Sequence, residues 1–166
     1  LSIRRQRQMC IRDSFGNDVL ELSGTLGGSA DGADGLDTLF GGFGADTLLG
    51  GGGADTLFGG GGADFIDGGD DDDTLELADA LGGVALGGEG TDTLTLVGAT
   101  NIVTIDSIET VTGSDGDDAL TVTTNDLQSV FGGDGFDEVV LTDGSGNTVD
   151  LAGVEMVAGS DGSDVL

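Results

Sequence analysis

The sequence predicts an all-β fold of short repeated turns and strands, and three observations support this prediction. A nine-residue phrase, G-G-x-G-x-D-x-U-x with U a large aliphatic residue, occurs three times without a gap over residues 41–67. Its last three places suit a very short strand, whose alternation turns place eight inwards, at Leu48, Leu57 and Ile66. Alternating Thr, Val, Leu and Ile segments after residue 90 also indicate strands.

The glycines and the aspartate of the phrase have separate physical roles. Glycines at places one, two and four permit positive φ and let the backbone come close to a ligand or a neighbouring turn. The aspartate at place six adds a carboxylate beside those carbonyls. Such an all-oxygen ligand set is hard, and it favours Ca²⁺ over zinc or copper. The candidate ligands of the tandem block are Gly42, Gly44, Asp46, Gly51, Gly53, Asp55, Gly60, Gly62 and Asp64.

A less perfect copy lies on each side of the tandem block. The copy before it has Ala33 at place two and Asp37 at place six. The copy after it has Asp71 instead of glycine at place four, and Asp73 at place six. If each phrase is half a coil, turns eighteen residues apart stack and share an ion. The five phrases then pair first with third, second with fourth and third with fifth, which gives about three ions.

These phrases closely resemble the RTX family of haemolysin-type calcium-binding repeats, whose nonapeptide has this pattern. The resemblance implies a right-handed parallel β-roll, or β-solenoid, with Ca²⁺ between stacked turns. It also implies a secreted protein. Family members exported by type I secretion carry their signal at the extreme C-terminus, and the sequence shows none. We therefore interpret the chain as a fragment cut at both ends.

Composition and charge narrow the classes of partner. From Asp13 onward the chain has 32 acidic side chains and no Lys, Arg or His, because all four arginines lie within residues 1–12. A segment of this charge repels itself, and composition alone allows disorder. The regular Leu, Val and Ile positions argue against disorder. The charge also argues against nucleic acid or an anionic membrane as partner, and it makes a divalent cation the natural complement.

Catalysis is not predicted for this chain. After residue 12 there is no His, Lys, Arg or Cys, so an acid–base pair would need two carboxylates. The aspartates occupy repeat positions rather than a unique constellation, and the Ser and Thr residues have no base to activate them. RTX rolls do accompany secreted proteases and lipases, so a catalytic domain of the parent protein would lie outside this chain.

Two segments do not fit the repeat. Residues 1–12 contain the only cysteine and resemble translated sequencing-adaptor sequence, so we predict a non-native leader, with a basic anchor or nucleic-acid arm as the alternative. Residues 13–86 are predicted to form the β-roll, and 77–86 within them to be a connector.

Phe40 and Phe58, eighteen residues apart at place nine, are expected to stack, either under flanking chain or as a partner-binding stripe.

Residues 87–166 show a longer period. Turns recur 45 residues apart, as in Gly87–Leu96 and Gly132–Leu141, and we predict a wider β-solenoid that continues the roll. These turns carry further candidate calcium ligands, unless they are ordinary tight turns without metal. The ligands are the place-six aspartates, expected to pair one full unit apart: Asp92 with Asp137, and Asp118 with Asp164.

The sequence therefore predicts a calcium-binding repeat module of a secreted bacterial protein that folds on Ca²⁺ after export. Extracellular calcium modules bind with Kd on the order of 10⁻⁴ to 10⁻³ M, which suits a switch between compartments. Two alternatives stay open. The 45-residue units favour a structural spacer of a large calcium-dependent adhesin or surface-layer protein. The clean nonapeptides favour the C-terminal roll of a secreted protease, lipase or toxin.

Overall fold

The computed structural model describes residues 2–6, 10–12, 15–124, 126–142 and 149–159. In this part of the chain all regular structure is β-strand, and the strands form two nine-stranded parallel sheets. The first sheet contains β1 Ser2–Gln6, β3 Val19–Ser23, β5 Thr38–Gly42, β7 Thr56–Gly61, β9 Thr74–Ala78, β11 Thr93–Val97, β13 Thr110–Thr112, β15 Ser129–Phe131 and β17 Asp150–Ala152. The second contains β2 Cys10–Arg12, β4 Ser29–Asp34, β6 Thr47–Gly52, β8 Phe65–Asp70, β10 Leu81–Glu89, β12 Thr100–Asp106, β14 Asp117–Val122, β16 Glu138–Leu141 and β18 Met156–Ala158.

Successive strands alternate between the two sheets, and each strand pairs with the strands two before and two after it. The chain therefore winds as a parallel β-roll, in which each coil contributes one strand to each sheet. Nine strands at about 4.8 Å spacing make a stack about 40 Å long. The predicted all-β class and the β-roll are confirmed.

The core is a column of aliphatic side chains between the two sheets. The place-eight residues Leu48, Leu57 and Ile66 are fully buried, as predicted. Leu57 pairs in register with Leu39 in one neighbouring coil and Leu75 in the other. Burying one such side chain contributes about 2 kcal/mol. A residue that recurs at every ninth position therefore builds a continuous core from Leu39 to Leu75.

Residues 77–86 are not a connector, so that prediction is wrong. They include most of β10, which pairs with β8 on one side and β12 on the other. The inward positions of β10 are occupied by Gly83, Ala85 and Gly87. Because these residues are small, the strand has no aliphatic alternation for sequence analysis to find. The sheets continue through this point, and the division of the chain at residue 86 stays a prediction.

Two further features bear on the sequence predictions. Phe40 and Phe58 stack as expected, with ring centroids 4.9 Å apart and planes at 6°. Residues 2–6 and 10–12 pair with β3 and β4, and the foreign origin of residues 1–12 stays a prediction. Within the described ranges, no helix is long and apolar enough to cross a membrane.

Candidate metal sites

The turns that carry the place-six aspartates form two stacks, one before the strands of each sheet. In each stack an aspartate accepts, through Oδ1, a hydrogen bond from the backbone amide of the aspartate one coil earlier. The Asp37 amide donates to Asp55 at 2.7 Å, and the Asp55 amide donates to Asp73 at 2.7 Å. We call the series before the first sheet the first ladder: Asp18, Asp37, Asp55, Asp73, Asp92 and Glu109.

The second ladder lies before the strands of the second sheet and has two parts. In the first part the Asp46 amide donates to Asp64 Oδ1 at 2.8 Å. The series then stops. In the next coil the Leu77 side chain lies over Gly59, beside Asp64 Oδ2, and the residue whose amide donates to Asn101 Oδ1 is Ala80, which has no carboxylate. It resumes one coil later and contains Asn101, Asp118, Asp137 and Glu155.

The stacking of turns eighteen residues apart confirms that the five phrases pair as predicted: Asp37 with Asp55, Asp46 with Asp64, and Asp55 with Asp73. The predicted pairing of Asp92 with Asp137 is wrong. Asp92 follows Asp73 in the first ladder, whereas Asp137 follows Asp118 in the second. At eighteen residues a coil, a 45-residue unit is two and a half coils, so it moves a turn to the opposite stack. Asp164 lies outside the described residues.

The second carboxylate oxygen of these aspartates has no hydrogen-bond donor although it is buried. An unpaired buried acceptor costs about 1–3 kcal/mol, and a charged one costs more. Such an oxygen therefore requires either a proton or a cation. This applies to Oδ2 of Asp46, Asp55, Asp64, Asp73, Asp92 and Asp137.

Backbone carbonyls from both stacked turns point into the same gap as these oxygens. The carbonyl of Gly42 approaches the Cα of Gly60 in the next coil, and the carbonyl of Gly59 points back to the Cα of Gly41. Asp46 Oδ2 lies against that same Cα. The gap is bounded by three carbonyls and two carboxylates, those of Gly42, Gly44, Gly59, Asp46 and Asp64.

The glycines hold this arrangement in two ways. Places two and four take left-handed backbone at Gly42, Gly51, Gly53, Gly60 and Gly62, with φ between +84° and +135°. Ala33 and Asp71, the two departures from the pattern, adopt the same region with φ of +74°, so their turns keep the shape at a small strain. Place one instead requires glycine because a carbonyl of the next coil lies against its Cα, as the Gly59 carbonyl does at Gly41. Gly44 differs from the other place-four glycines: its backbone is not left-handed, and its Cα is in contact with the backbone of Leu26 and Gly27.

Comparison with known families decides what these turns are. Residues 31–66 and 49–78 match the model of the RTX calcium-binding nonapeptide repeat in four copies. Residues 31–78 are therefore similar to RTX calcium-binding repeats. The matched segment includes the tandem block and both flanking copies. Neither a curated protein nor a solved structure matches the chain.

The electrostatics of the RTX turns fit a divalent cation. Burial raises the pKa of Asp55 and Asp64 to about 6 and that of Asp73 to about 7. Repulsion from neighbouring carboxylates adds to this rise, as Asp37 does for Asp55 and Asp46 for Asp64. A cation between the carboxylates reverses the repulsion, because it supplies the opposite charge. Burial likewise raises the pKa values of Asp46, Asp92 and Asp137.

Backbone carbonyls add to the side-chain oxygen atoms in these gaps. No three acidic, histidine or cysteine side chains of the described ranges come together as a metal-binding cluster. Two carboxylates with several backbone carbonyls nevertheless form the oxygen-only set that Ca²⁺ accepts in flexible geometry. The donor set of the RTX turns therefore fits the ion that the family binds.

Asp118 differs from the six aspartates whose Oδ2 has no donor, because both its oxygens have protein donors. Its Oδ1 accepts from the Asn101 side chain at 2.8 Å, and its Oδ2 accepts from the Ser114 amide at 2.7 Å. Asn101 is fully buried and takes the place of a ladder aspartate. The Ser114 amide thus satisfies Oδ2, the oxygen that has no donor in Asp92 and Asp137.

Four ladder residues were not among the predicted ligands: Asp18, Asn101, Glu109 and Glu155. Asp18 ends the phrase Gly16-Asn17-Asp18, whereas the other three lie in no G-x-D phrase, which was the signal used to choose ligands. The two glutamates carried a different signal, since Ser107-Ile108-Glu109 and Gly153-Val154-Glu155 are equivalent in the longer repeat. Asn101 had no comparable signal, because its place in the ladder depends on strand register.

Proposed function

We propose that this chain is a calcium-binding repeat module of a secreted bacterial protein, and that it folds when Ca²⁺ binds after export. The observation that carries the proposal is a row of buried, donor-free Oδ2 atoms, each beside a carbonyl of the next coil: those of Asp46, Asp55, Asp73, Asp92 and Asp137. The ions would lie between stacked turns, held by Asp37, Asp46, Asp55, Asp64 and Asp73 with the glycine carbonyls at places one, two and four. Asp92 and Asp137 would extend the series, and Asp118 would contribute more weakly because its oxygens already have donors.

Secretion is supported by the repeat family and by charge. RTX repeats are typical of secreted proteins, and residues 31–78 match them. With 32 acidic side chains against four arginines, the chain opposes its own collapse where Ca²⁺ is scarce. Where Ca²⁺ is abundant, ion binding supplies the free energy for folding, because the stacked sites exist only in the folded chain. The module then has a mechanical rather than a catalytic role.

A spacer in a large calcium-dependent surface protein is the second candidate. Both sheets continue through the longer-period residues, and each described coil contacts only its neighbours. Such stacks extend by adding coils. The same module would also serve as the C-terminal roll of a secreted protease, lipase or toxin. The neighbouring domains of the full-length gene distinguish these contexts.

The test is far-UV circular dichroism of the chain in EDTA and then in millimolar Ca²⁺. We expect a disordered spectrum in EDTA and a large gain of β structure on adding Ca²⁺. Mg²⁺ should substitute poorly, because it prefers a small octahedral shell and retains its waters. A spectrum that does not change with Ca²⁺, or that changes equally with Mg²⁺, contradicts the proposal.

A further inference from the structure

The first ladder and the later part of the second ladder each end in a glutamate instead of an aspartate. In the first, the amide of Asp92 donates to Glu109 Oε2 at 2.6 Å. In the second, the amide of Asp137 donates to Glu155 Oε2 at 2.8 Å. Each glutamate thus occupies, one coil after an RTX-like turn, the position that an aspartate carboxylate takes elsewhere. Both lie outside residues 31–78, the segment that matches the repeat family.

The glutamates belong to shorter turns than the aspartates do. In a full turn the place-one glycine precedes the acid by five residues, as Gly87 precedes Asp92. In the short turns the corresponding carbonyls belong to Ser107 and Gly153, which precede their glutamates by two residues. One additional methylene lets the carboxylate reach the same amide from this shorter turn. Ser107 and Gly153 both have positive φ, +50° and +68°.

The gap between each short turn and the turn one coil earlier also contains a buried oxygen without a donor. Asp92 is fully buried and Asp137 is 2% exposed, and Oδ2 of each has no hydrogen-bond partner. The Cα of Gly87 lies against both Asp92 Oδ2 and the carbonyl of Ser107. In the same way, the Cα of Gly132 lies against Asp137 Oδ2 and the carbonyl of Gly153. The pairing of a donor-free Oδ2 with a carbonyl of the next coil, seen in the tandem block, is therefore reproduced.

The chain builds this arrangement twice, once in each stack of turns. Glu109 and Glu155 are 46 residues apart and occupy equivalent places in the longer repeat. Because this spacing is close to two and a half coils, the two gaps lie on opposite stacks. Two separate sets of neighbours thus produce the same donor set of two carboxylates and a facing carbonyl.

We propose that Glu109 and Glu155 each complete a further Ca²⁺ site, Glu109 with Asp92 and Glu155 with Asp137. The inference rests on the proposed function and extends it to turns that lack the nonapeptide pattern. Ca²⁺ is the expected ion because carboxylates and carbonyls from two separate turns form a flexible, all-oxygen set. The competing explanation is that each glutamate only accepts the hydrogen bond that ends the ladder.

Glu109→Gln and Glu155→Gln separate these explanations. A glutamine still offers a carbonyl oxygen to the aspartate amide, but it removes the negative charge that a cation requires. Ca²⁺ bound per chain is counted by equilibrium dialysis of the full chain at a concentration that saturates the unaltered protein. We expect each variant to bind one ion fewer and the double variant to bind two fewer. Glu89→Gln is the matched control, because Glu89 is exposed in the same turn as Asp92, and it should bind the full number.

Glu109→Asp tests the length argument. It retains the charge and shortens the side chain by one methylene, so we expect the affinity of that site to fall by about tenfold or more. Circular dichroism in saturating Ca²⁺ establishes that each variant is folded. If one glutamine variant does not fold, the other decides, because the two sites lie on opposite stacks.

The outcomes also distinguish this inference from the proposed function. If Asp55→Asn lowers the ion count while both glutamine variants bind the full number, the glutamates are hydrogen-bond acceptors and the inference is wrong. If the unaltered chain binds no Ca²⁺, the proposed function fails as well. A loss of one ion in each glutamine variant supports both.

Discussion

A single aspartate of the tandem block serves two gaps at once. Asp55 Oδ1 accepts the amide of Asp37 on one side. Its Oδ2 lies against the Cα of Gly50 together with the carbonyl of Gly68 on the other. Asp72 is exposed and accepts a hydrogen bond from the Thr91 amide at 2.9 Å. Two aspartates of similar sequence context therefore have different roles.

This difference predicts the effects of matched substitutions. Asp55→Asn should lower Ca²⁺ affinity by about tenfold or more, because it removes charge from both gaps. Asp72→Asn should change it by less than about twofold, because an asparagine oxygen can still accept the Thr91 amide. Calorimetric titration of the full chain with Ca²⁺ measures both. Equal effects would show that the assignment of Asp55 as a shared ligand is wrong.

At the scale of the turn, glycine places that look equivalent in sequence differ in what they tolerate. Gly51 has φ of +114°, and a Cβ there would meet the carbonyl of Ala33. Gly52, the next residue, is not in the left-handed region, and its Cβ would have only Asp34 Oδ1 nearby, at 3.5 Å. The pattern G-G-x-G agrees with this difference, because place three accepts residues other than glycine.

Gly51→Ala should therefore destabilise the Ca²⁺-bound fold by about 2 kcal/mol or more, the sum of φ strain and contact with a neighbouring carbonyl. Gly52→Ala should change the free energy of unfolding by less than about 0.5 kcal/mol. Urea unfolding in saturating Ca²⁺ gives both values. A large effect at Gly52, or none at Gly51, would mean that the turn has a different backbone conformation.

The elements with a strong repeat were predictable from sequence, and those without one were not. The tandem strands combine a place-eight aliphatic residue with glycine turns, so both core and register follow from one phrase. β10 keeps the register with Gly83, Ala85 and Gly87 facing inward, and small residues leave no periodic hydrophobic signal. The contact of Leu77 with Gly59, beside Asp64, is likewise a tertiary contact that no local pattern reveals.

At the scale of the molecule, the number of residues per coil determines which turns meet. Pairing across eighteen residues was predictable because a phrase of nine is half a coil. Asp92 could pair with Asp137 only if the 45-residue unit were a whole number of coils. The unit is instead two and a half coils, so the two aspartates lie on opposite stacks. A repeat found in sequence therefore establishes similar local structure, whereas contact also depends on the pitch of the solenoid.

The net charge of −28 and the buried ladders together make the metal-free fold sensitive to pH. In the fold the pKa of Asp73 rises from 3.8 to about 7, and those of Asp55 and Asp64 rise to about 6, because of burial. Between the ordinary and the raised pKa values, the folded chain binds more protons than the unfolded chain. The free energy of unfolding therefore increases as pH falls from about 7 towards 4.

We expect the chain in chelator to gain β structure on acidification from pH 8 to about pH 5, because protons neutralise the carboxylates that Ca²⁺ otherwise binds. Far-UV circular dichroism across this range, without Ca²⁺, measures the gain. Asp73→Asn is the decisive variant, since the asparagine side chain cannot ionise. It should have more β structure than the unaltered chain in chelator at pH 8, and yet bind Ca²⁺ less tightly. If it loses structure in chelator and also loses Ca²⁺ affinity, the Asp73 carboxylate does not oppose folding of the metal-free chain.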